Sequence, residues 1–105
     1  MLFGKLRKIS TARRQVLPFI QSIEDIDIVF AVGAAHDEGS PLGLKQLEML
    51  KLAPPSTLQR RLNRLVRVGV LKKTTQNGDG RRIAYLPTAR TVRACGRFLQ
   101  IVATD

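Results

Sequence analysis

Apolar residues recur at helical spacing along most of this chain, and turn signals divide the pattern into short elements. A first apolar stripe runs from Leu2 to Ile23 at heptad-like positions. Pro18 interrupts it, because proline lacks an amide donor and its ring clashes with the preceding helical turn. The pattern therefore predicts a first helix that breaks near Leu17.

A second helix is predicted to begin after Ser22, whose hydroxyl suits an N-cap. Its first turn carries Glu24, Asp25 and Asp27, which we interpret as capping and solvated acids that complement the helix dipole. A loop signal from Asp37 to Pro41 ends this helix. The residues predicted to form its apolar face are Ile26, Val29, Phe30 and either Val32 or Gly33.

Two helices separated by a proline-containing turn come next. The first runs from about Leu44 to Lys51 and is stopped by Ala53-Pro54-Pro55. The second, from Pro55 to Val68, has the clearest periodicity, since Pro55 suits a first helical turn and Gly69 a position just after a helix. Its apolar stripe consists of Leu58, Leu62, Leu65 and Val66.

A β-hairpin and a last helix complete the pattern. Strands are predicted at 70–75 and 82–86, joined by a turn at 76–80 that contains Asn-Gly and Asp-Gly. Thr88 is expected to cap a helix from Ala89 to Ala103. The apolar face predicted for this helix contains Val92, Cys95, Leu99 and Val102, with Phe98 on its flank. The fold class is thus mainly α with a small β-hairpin, a winged helix-turn-helix.

Composition limits the functions that are compatible with this fold. The 105 residues are enough for one domain, and a single cysteine excludes an internal disulfide. We find no nucleophile–base pairing, phosphate loop or metal-ligand spacing, so we expect neither enzyme activity nor a cofactor. Because the basic start lacks the pattern of a secretory signal and no apolar run could span a bilayer, we expect a cytoplasmic protein.

The formal charge of +10 indicates a polyanionic partner, with nucleic acid as the first candidate and an anionic membrane surface as the second. The charge is distributed in blocks. Residues 1–22 carry five bases and no acid, and residues 23–38 carry five acids and no base. Residues 45–82 hold ten bases against two acids, a net +8 that covers the helix-turn-helix and its wing.

The polar face of the 55–68 helix offers the side chains that read DNA bases. Arg pairs with guanine, and Asn or Gln with adenine, in the major groove. Residues at the start of this helix suit phosphate, and the wing suits backbone or minor-groove contacts. The predicted DNA-binding residues are Ser56, Thr57, Gln59, Arg60, Asn63, Arg64, Lys72, Arg81 and Arg82, with Lys73 as a further phosphate contact.

Several of these segments together resemble the winged helix of MarR-type bacterial regulators. They are Leu44-Lys45-Gln46-Leu47, Pro55-Ser56-Thr57-Leu58, Leu62-Asn63-Arg64-Leu65, Val68-Gly69-Val70-Leu71 and Asp79-Gly80-Arg81. The resemblance covers about residues 22–103 and is most specific over 44–88. The chain departs from the family pattern at Pro54 and Pro87, and it is short for the family.

The resemblance implies a homodimeric, DNA-binding transcriptional regulator that dimerises through its terminal helices. It assigns recognition-helix contacts to Ser56, Thr57, Gln59, Arg60 and Arg64. It also makes Arg81 the wing-tip contact, which Asp79 would orient. We accordingly divide the chain into a basic dimerisation segment at 1–21, a winged helix-turn-helix at 22–87 and a dimerisation helix at 88–105.

Other interpretations stay open at this point. The arginines of the 55–68 helix are also compatible with a merely solvated face. We expect Cys95 to be a buried apolar residue, and a redox switch is the alternative. A winged helix also serves as a protein-interaction module or in replication and partition of mobile elements. We expect a repressor that binds double-stranded DNA and not a membrane; the sequence gives neither the operator nor any small-molecule effector.

Overall fold

A computed structural model describes residues 1–76 and 79–104, and it describes their side chains except at residues 76 and 79–81. The order of elements is helix, helix, short helix, helix, hairpin, helix, as the sequence predicts. Their bounds are α1 Leu2–Val16, α2 Ile23–Asp37, α3 Leu44–Met49, α4 Pro55–Arg67, β1 Leu71–Gln76, β2 Asp79–Pro87 and α5 Ala89–Ala103.

The predicted helix ends are confirmed, and local chemistry explains each of them. The α1 helix stops at Leu17, directly before Pro18, and its last amide bonds the Arg13 carbonyl. Ser22 caps α2 by accepting a hydrogen bond from the Asp25 amide at 3.3 Å. Thr88 caps α5 in the same way through the Thr91 amide.

The core lies behind α4, which packs against α2 and β1. Leu58, Leu62 and Leu65 are completely buried there, as the predicted apolar stripe requires. The rest of the core comes from the α1–α2 turn, α2, α3 and the hairpin. Its buried members are Leu17, Ile20, Ile28, Val29, Val32, Leu47, Val70, Leu71 and Tyr85.

Two predicted helix faces are rotated from the expected positions. In α2 the buried stripe includes Ile28, which the prediction omitted, whereas Phe30 is 46% exposed. In α5 the core side contains Thr91 and Phe98, and Val92 and Leu99 are exposed. Both helices carry apolar residues on more than one face, so periodicity alone could not determine which face packs inward.

The hairpin forms an antiparallel wing that is anchored to the loop before α3. Leu71 pairs with Pro87 and Thr75 with Ile83, and the register shifts between Thr75 and Gln76. The Tyr85 amide donates to the Leu42 carbonyl at 2.9 Å, which fixes the wing against the helical body. The predicted turn at 76–80 includes residues 77 and 78, which lie outside the described residues.

The molecule is elongated, with extents of 50 × 26 × 22 Å. The α1 helix packs on α5; Ala12 is buried, and Lys8 donates to the Thr104 carbonyl. The first ten residues are all exposed. None of the helices in the described part of the chain is long and apolar enough to cross a membrane.

Candidate nucleic-acid interface

The outward face of α4 carries a row of polar side chains at helical spacing. We call this row the outer row; its five exposed members are Ser56, Gln59, Arg60, Asn63 and Arg67. The spacing is i, i+3, i+4, i+7 and i+11, so the side chains project from one side of a helix that is about 20 Å long. No acidic residue occurs between residues 52 and 76, so the row is uniformly polar and basic.

Two further arginines of α4, Arg61 and Arg64, line the same open surface as the outer row but bond the body of the protein. Arg64 bonds the Asp25 carboxylate at 3.3 Å and the Phe19 carbonyl at 2.9 Å, and its side chain is 17% exposed. Arg61 lies 3.9 Å from the same carboxylate and bonds the Gln21 amide oxygen at 3.4 Å. Arg64 was predicted to contact DNA, but its guanidinium bonds groups of the protein itself in this structure.

Asp25 corrects a second interpretation. We expected it to be a capping and solvated acid at the start of α2; it does bond an amide there, but its side chain is completely buried. Besides the arginines, it accepts a hydrogen bond from the Gln21 amide at 2.9 Å. A signal for this was present in the sequence: Asp25 lies three, four and seven residues before Ile28, Val29 and Val32, on the buried stripe.

The start of α4 is open toward the solvent. Pro54 occupies the N-cap position with no side-chain hydrogen bond, and Pro55 follows as the first helical residue. The first amides of a helix have no partner in the preceding turn, and the helix dipole makes this end favourable for anions. Ser56 is exposed and Thr57 is half-buried, so one hydroxyl is fully available beside these amides and the other partly.

The wing adds cations beside α4. Lys72 and Lys73 on β1 and Arg82 on β2 are all exposed. The predicted wing-tip contact Arg81 and its partner Asp79 lie outside the described side chains. The wing contribution that the structure describes therefore consists of Lys72, Lys73 and Arg82.

The C-terminal end of α4 is held by the first turn of α5. Gly69 ends the helix in the left-handed region, with φ of 80°. The Arg90 guanidinium donates to the Val68 carbonyl at 2.7 Å, and the Thr88 hydroxyl donates to the Gly69 carbonyl at 2.8 Å. These bonds satisfy carbonyls that a helix leaves without partners, and they join α4 to α5.

Apolar side chains are exposed on both terminal helices. We call them together the unpaired apolar surface; they are Leu2, Phe3, Leu6 and Ile9 on α1 and Val92 and Leu99 on α5. Val92 and Leu99 line an open groove of about 370 Å³ between α2 and α5. Cys95 lines this groove, and burial raises the pKa of its thiol.

The described residues include no group of three or more His, Cys, Asp or Glu that could hold a metal ion. The described side chains of α4 and the wing offer three kinds of polar contact: bidentate and amide hydrogen bonding from α4, amides at a helix start, and cations on α4 and the wing.

Comparison with solved structures identifies the fold. The chain is similar to RV1404 from Mycobacterium tuberculosis, with a TM-score of 0.76 and 16% identity over 94% of this chain and 64% of that one. It is similar to the transcriptional regulator Tm0710 from Thermotoga maritima, with a TM-score of 0.70 and 21% identity over 97% of this chain and 70% of that one. It is also similar to a mutant MarR from E. coli complexed with operator DNA, with a TM-score of 0.64 and 16% identity over 92% of this chain and 66% of that one.

No protein-family model matches the sequence, and a search of curated proteins finds no match. These structural matches cover 92–97% of this chain, and this chain spans only 64% of the Mycobacterium protein. At these identities they establish the fold, which is the winged-helix fold of MarR-type regulators. The fold class that the sequence predicts is thereby confirmed.

Proposed function

We propose that this chain is a sequence-specific double-stranded DNA-binding protein that regulates transcription as a homodimer. The observation that carries the proposal is the acid-free outer row of α4, displayed on the fold of the MarR protein that was solved with operator DNA. In helix-turn-helix proteins the second helix enters the major groove, and here that helix is α4. Repression is the mode of regulation that we propose.

Within the outer row we assign base reading to Gln59, Arg60 and Asn63, which lie in the middle of α4. Arg bonds guanine in a bidentate manner, and the amides of Gln and Asn bond adenine. Ser56 and Thr57 at the start of α4 are assigned to phosphate. The exposure of Ser56, Gln59, Arg60 and Asn63 supports these assignments. The start of α4 has no side-chain cap, which supports the phosphate contacts.

The wing is assigned to the DNA backbone or minor groove. Lys72 and Arg82 are supported as phosphate contacts by their exposure on a hairpin that is fixed to the body. The contact by Arg81 stays a prediction from the sequence. Phosphate contacts fix the position of the protein on the duplex, whereas base contacts carry the sequence information.

The homodimer is supported by the unpaired apolar surface. An isolated helix of 15 residues is marginal in water, and the first ten residues of α1 are all exposed within one chain. Leu2, Leu6 and Ile9 form an apolar stripe that a second copy would cover. A two-fold dimer would place two α4 helices in successive major grooves, about one helical turn of DNA apart, on an inverted repeat.

Binding-site selection from random duplex DNA, followed by titration of the selected site against salt, tests the proposal. With about 6–10 phosphate contacts, affinity is expected to fall about 10³–10⁵-fold between 50 mM and 200 mM salt. A flat salt response refutes nucleic-acid binding. Capture of an acidic protein that persists after nuclease treatment favours the interaction-module alternative.

Two substitutions separate base reading from backbone contact. Arg60→Ala is expected to relax preference at one position of the site, with a loss of about 1–3 kcal/mol against the preferred base. Lys72→Ala is expected to weaken all duplexes equally and to reduce the salt slope by about 1. Unchanged preference in Arg60→Ala would show that the base-reading assignment is wrong.

The mode of regulation requires a separate measurement. Transcription from a promoter that contains the selected site is compared with and without the protein. Repression lowers transcript yield because a bound dimer excludes polymerase from the promoter. A rise in transcript yield at the same occupancy identifies an activator, and an unchanged yield favours replication or partition.

A further inference from the structure

The most unusual polar group in the described part of the chain is the carboxylate of Asp25. It is completely buried in the first turn of α2, next to the apolar residues of the core. A buried charge is strongly unfavourable unless it is paired and hydrogen-bonded. The contacts of Asp25 therefore indicate what this residue does.

Those contacts join three parts of the chain. One carboxylate oxygen of Asp25 accepts from the Gln21 amide at 2.9 Å and from the Arg64 guanidinium at 3.3 Å. The other terminal nitrogen of Arg64 donates to the Phe19 carbonyl at 2.9 Å. A single guanidinium of α4 is thus bonded both to α2 and to the turn between α1 and α2.

Hydrogen bonds constrain α4 in a way that its apolar stripe does not. Leu58, Leu62 and Leu65 bury apolar area, and the hydrophobic effect that this burial supplies is non-directional. The Arg64 bonds are directional and weaken steeply when their geometry changes. Arg64 also lies directly beside Asn63 and one turn from Arg60, so its bonds fix the rotation of the outer row where bases would be read.

We propose that Asp25 is a positioning residue for DNA recognition and that Arg64 is its connection to α4, not a DNA contact. This inference rests on the proposed function. The pair sets the angle of α4 against the α1–α2 turn, and base readers must be held within about 0.5 Å of their working geometry. Arg61, which lies 3.9 Å from the same oxygen, adds to the compensation of the buried charge.

Asp25→Asn tests the proposal because it removes the charge and preserves the shape of the side chain. Asp27→Asn is the matched control, since it makes the same change in net charge at an exposed position of the same helix. The measurement is the ratio of affinities for the selected site and a scrambled duplex, at equal salt. We expect Asp25→Asn to lower this ratio about tenfold, the worth of one bidentate base contact. An equal ratio in the two variants would overturn the proposal.

A measurement on the unaltered protein applies even where Asp25→Asn fails to fold. Side-chain nitrogen resonances of the arginines are followed by NMR as the selected duplex is added. We expect the Arg60 and Arg67 resonances to shift, and the Arg64 resonance to stay in place because its partners lie within the protein. A shift of Arg64 as large as that of Arg60 would overturn the proposal.

The proposed function and the positioning role of Asp25 are refuted by different results. If the unaltered protein binds no duplex, the proposed function is refuted, and this inference with it. If it binds its site and Asp25→Asn matches Asp27→Asn, the proposed function stands and only the positioning role is refuted. The salt slope is expected to be the same in both variants, because neither acid reaches a phosphate.

Discussion

Gly69 connects α4 to the wing, and its replacement by alanine gives a quantitative test of the structure. Its φ of 80° lies in the left-handed region, where a side chain costs about 1–2 kcal/mol. A Cβ atom at this position would also lie 3.2 Å from an Arg90 guanidinium nitrogen. That nitrogen is the one that bonds the Val68 carbonyl at 2.7 Å.

The two costs add to an expected loss of unfolding free energy of about 2–3 kcal/mol, with the exposed Arg90 bond contributing about 1 kcal/mol. For a chain of this size that corresponds to a fall in Tm of about 10–20 °C. The assay is urea and thermal unfolding followed by circular dichroism. Protein concentration is held equal, because dimerisation would make stability depend on concentration.

Two controls separate the contributions. Gly33→Ala makes the same chemical change inside α2, where a Cβ atom would meet nothing within 4 Å, and it is expected to stabilise by up to about 1 kcal/mol. In an Arg90→Ala background, Gly69→Ala is expected to cost only the backbone part, about 1–2 kcal/mol. If Gly69→Ala is as stable as the unaltered protein, the left-handed end of α4 is refuted.

Three further outcomes are expected. Leu62→Ala leaves a cavity behind α4 and should destabilise by about 3–5 kcal/mol in urea unfolding, and a loss below 1 kcal/mol would contradict its burial. Leu6→Asp should shift the protein from dimer to monomer in sedimentation, whereas Lys5→Asp on the same helix should not. Burial raises the pKa of Cys95, so less thiolate is present at pH 8 and alkylation should be slower than for free cysteine; an equal rate would contradict this.

Most of the helix and strand ends were predictable because they depend on neighbours in sequence. Ser22 and Thr88 act as caps, Pro18 stops α1, and Gly69 ends α4, each through bonds or conformations within a few residues. The apolar stripe of α4 was equally predictable, since its opposite face is wholly polar. These elements needed no information about the rest of the fold.

The faces of α2 and α5 were harder, for a physical reason. Phe30 and Leu99 are as apolar as the residues that pack inward, so the choice between them depends on which helices come together. That choice is a property of tertiary packing, which periodicity along one helix does not contain. The exposed apolar residues that result are the main support for a second copy of the chain.

The candidate site was predictable by region and not by residue. The acid-free helix identified the surface, and Gln59, Arg60 and Asn63 are exposed on it. Arg64 has the same chemistry as Arg60 and nearly the same helical position, but the Asp25 carboxylate, 39 residues earlier, and the Phe19 carbonyl, 45 residues earlier, bond its guanidinium. An interaction over that distance in sequence requires the fold itself.

The completely buried stripe of Leu58, Leu62 and Leu65 separates two properties of α4. Stability depends on the inner side of the helix, whereas exposed positions on the outer side contribute little to it. If the proposed function holds, the preferred DNA sequence is expected to change on substitution at 59, 60 and 63 without redesign of the core. A library randomised at these three positions, with Asp25 and Arg64 retained, would keep one scaffold while it sampled many DNA sites.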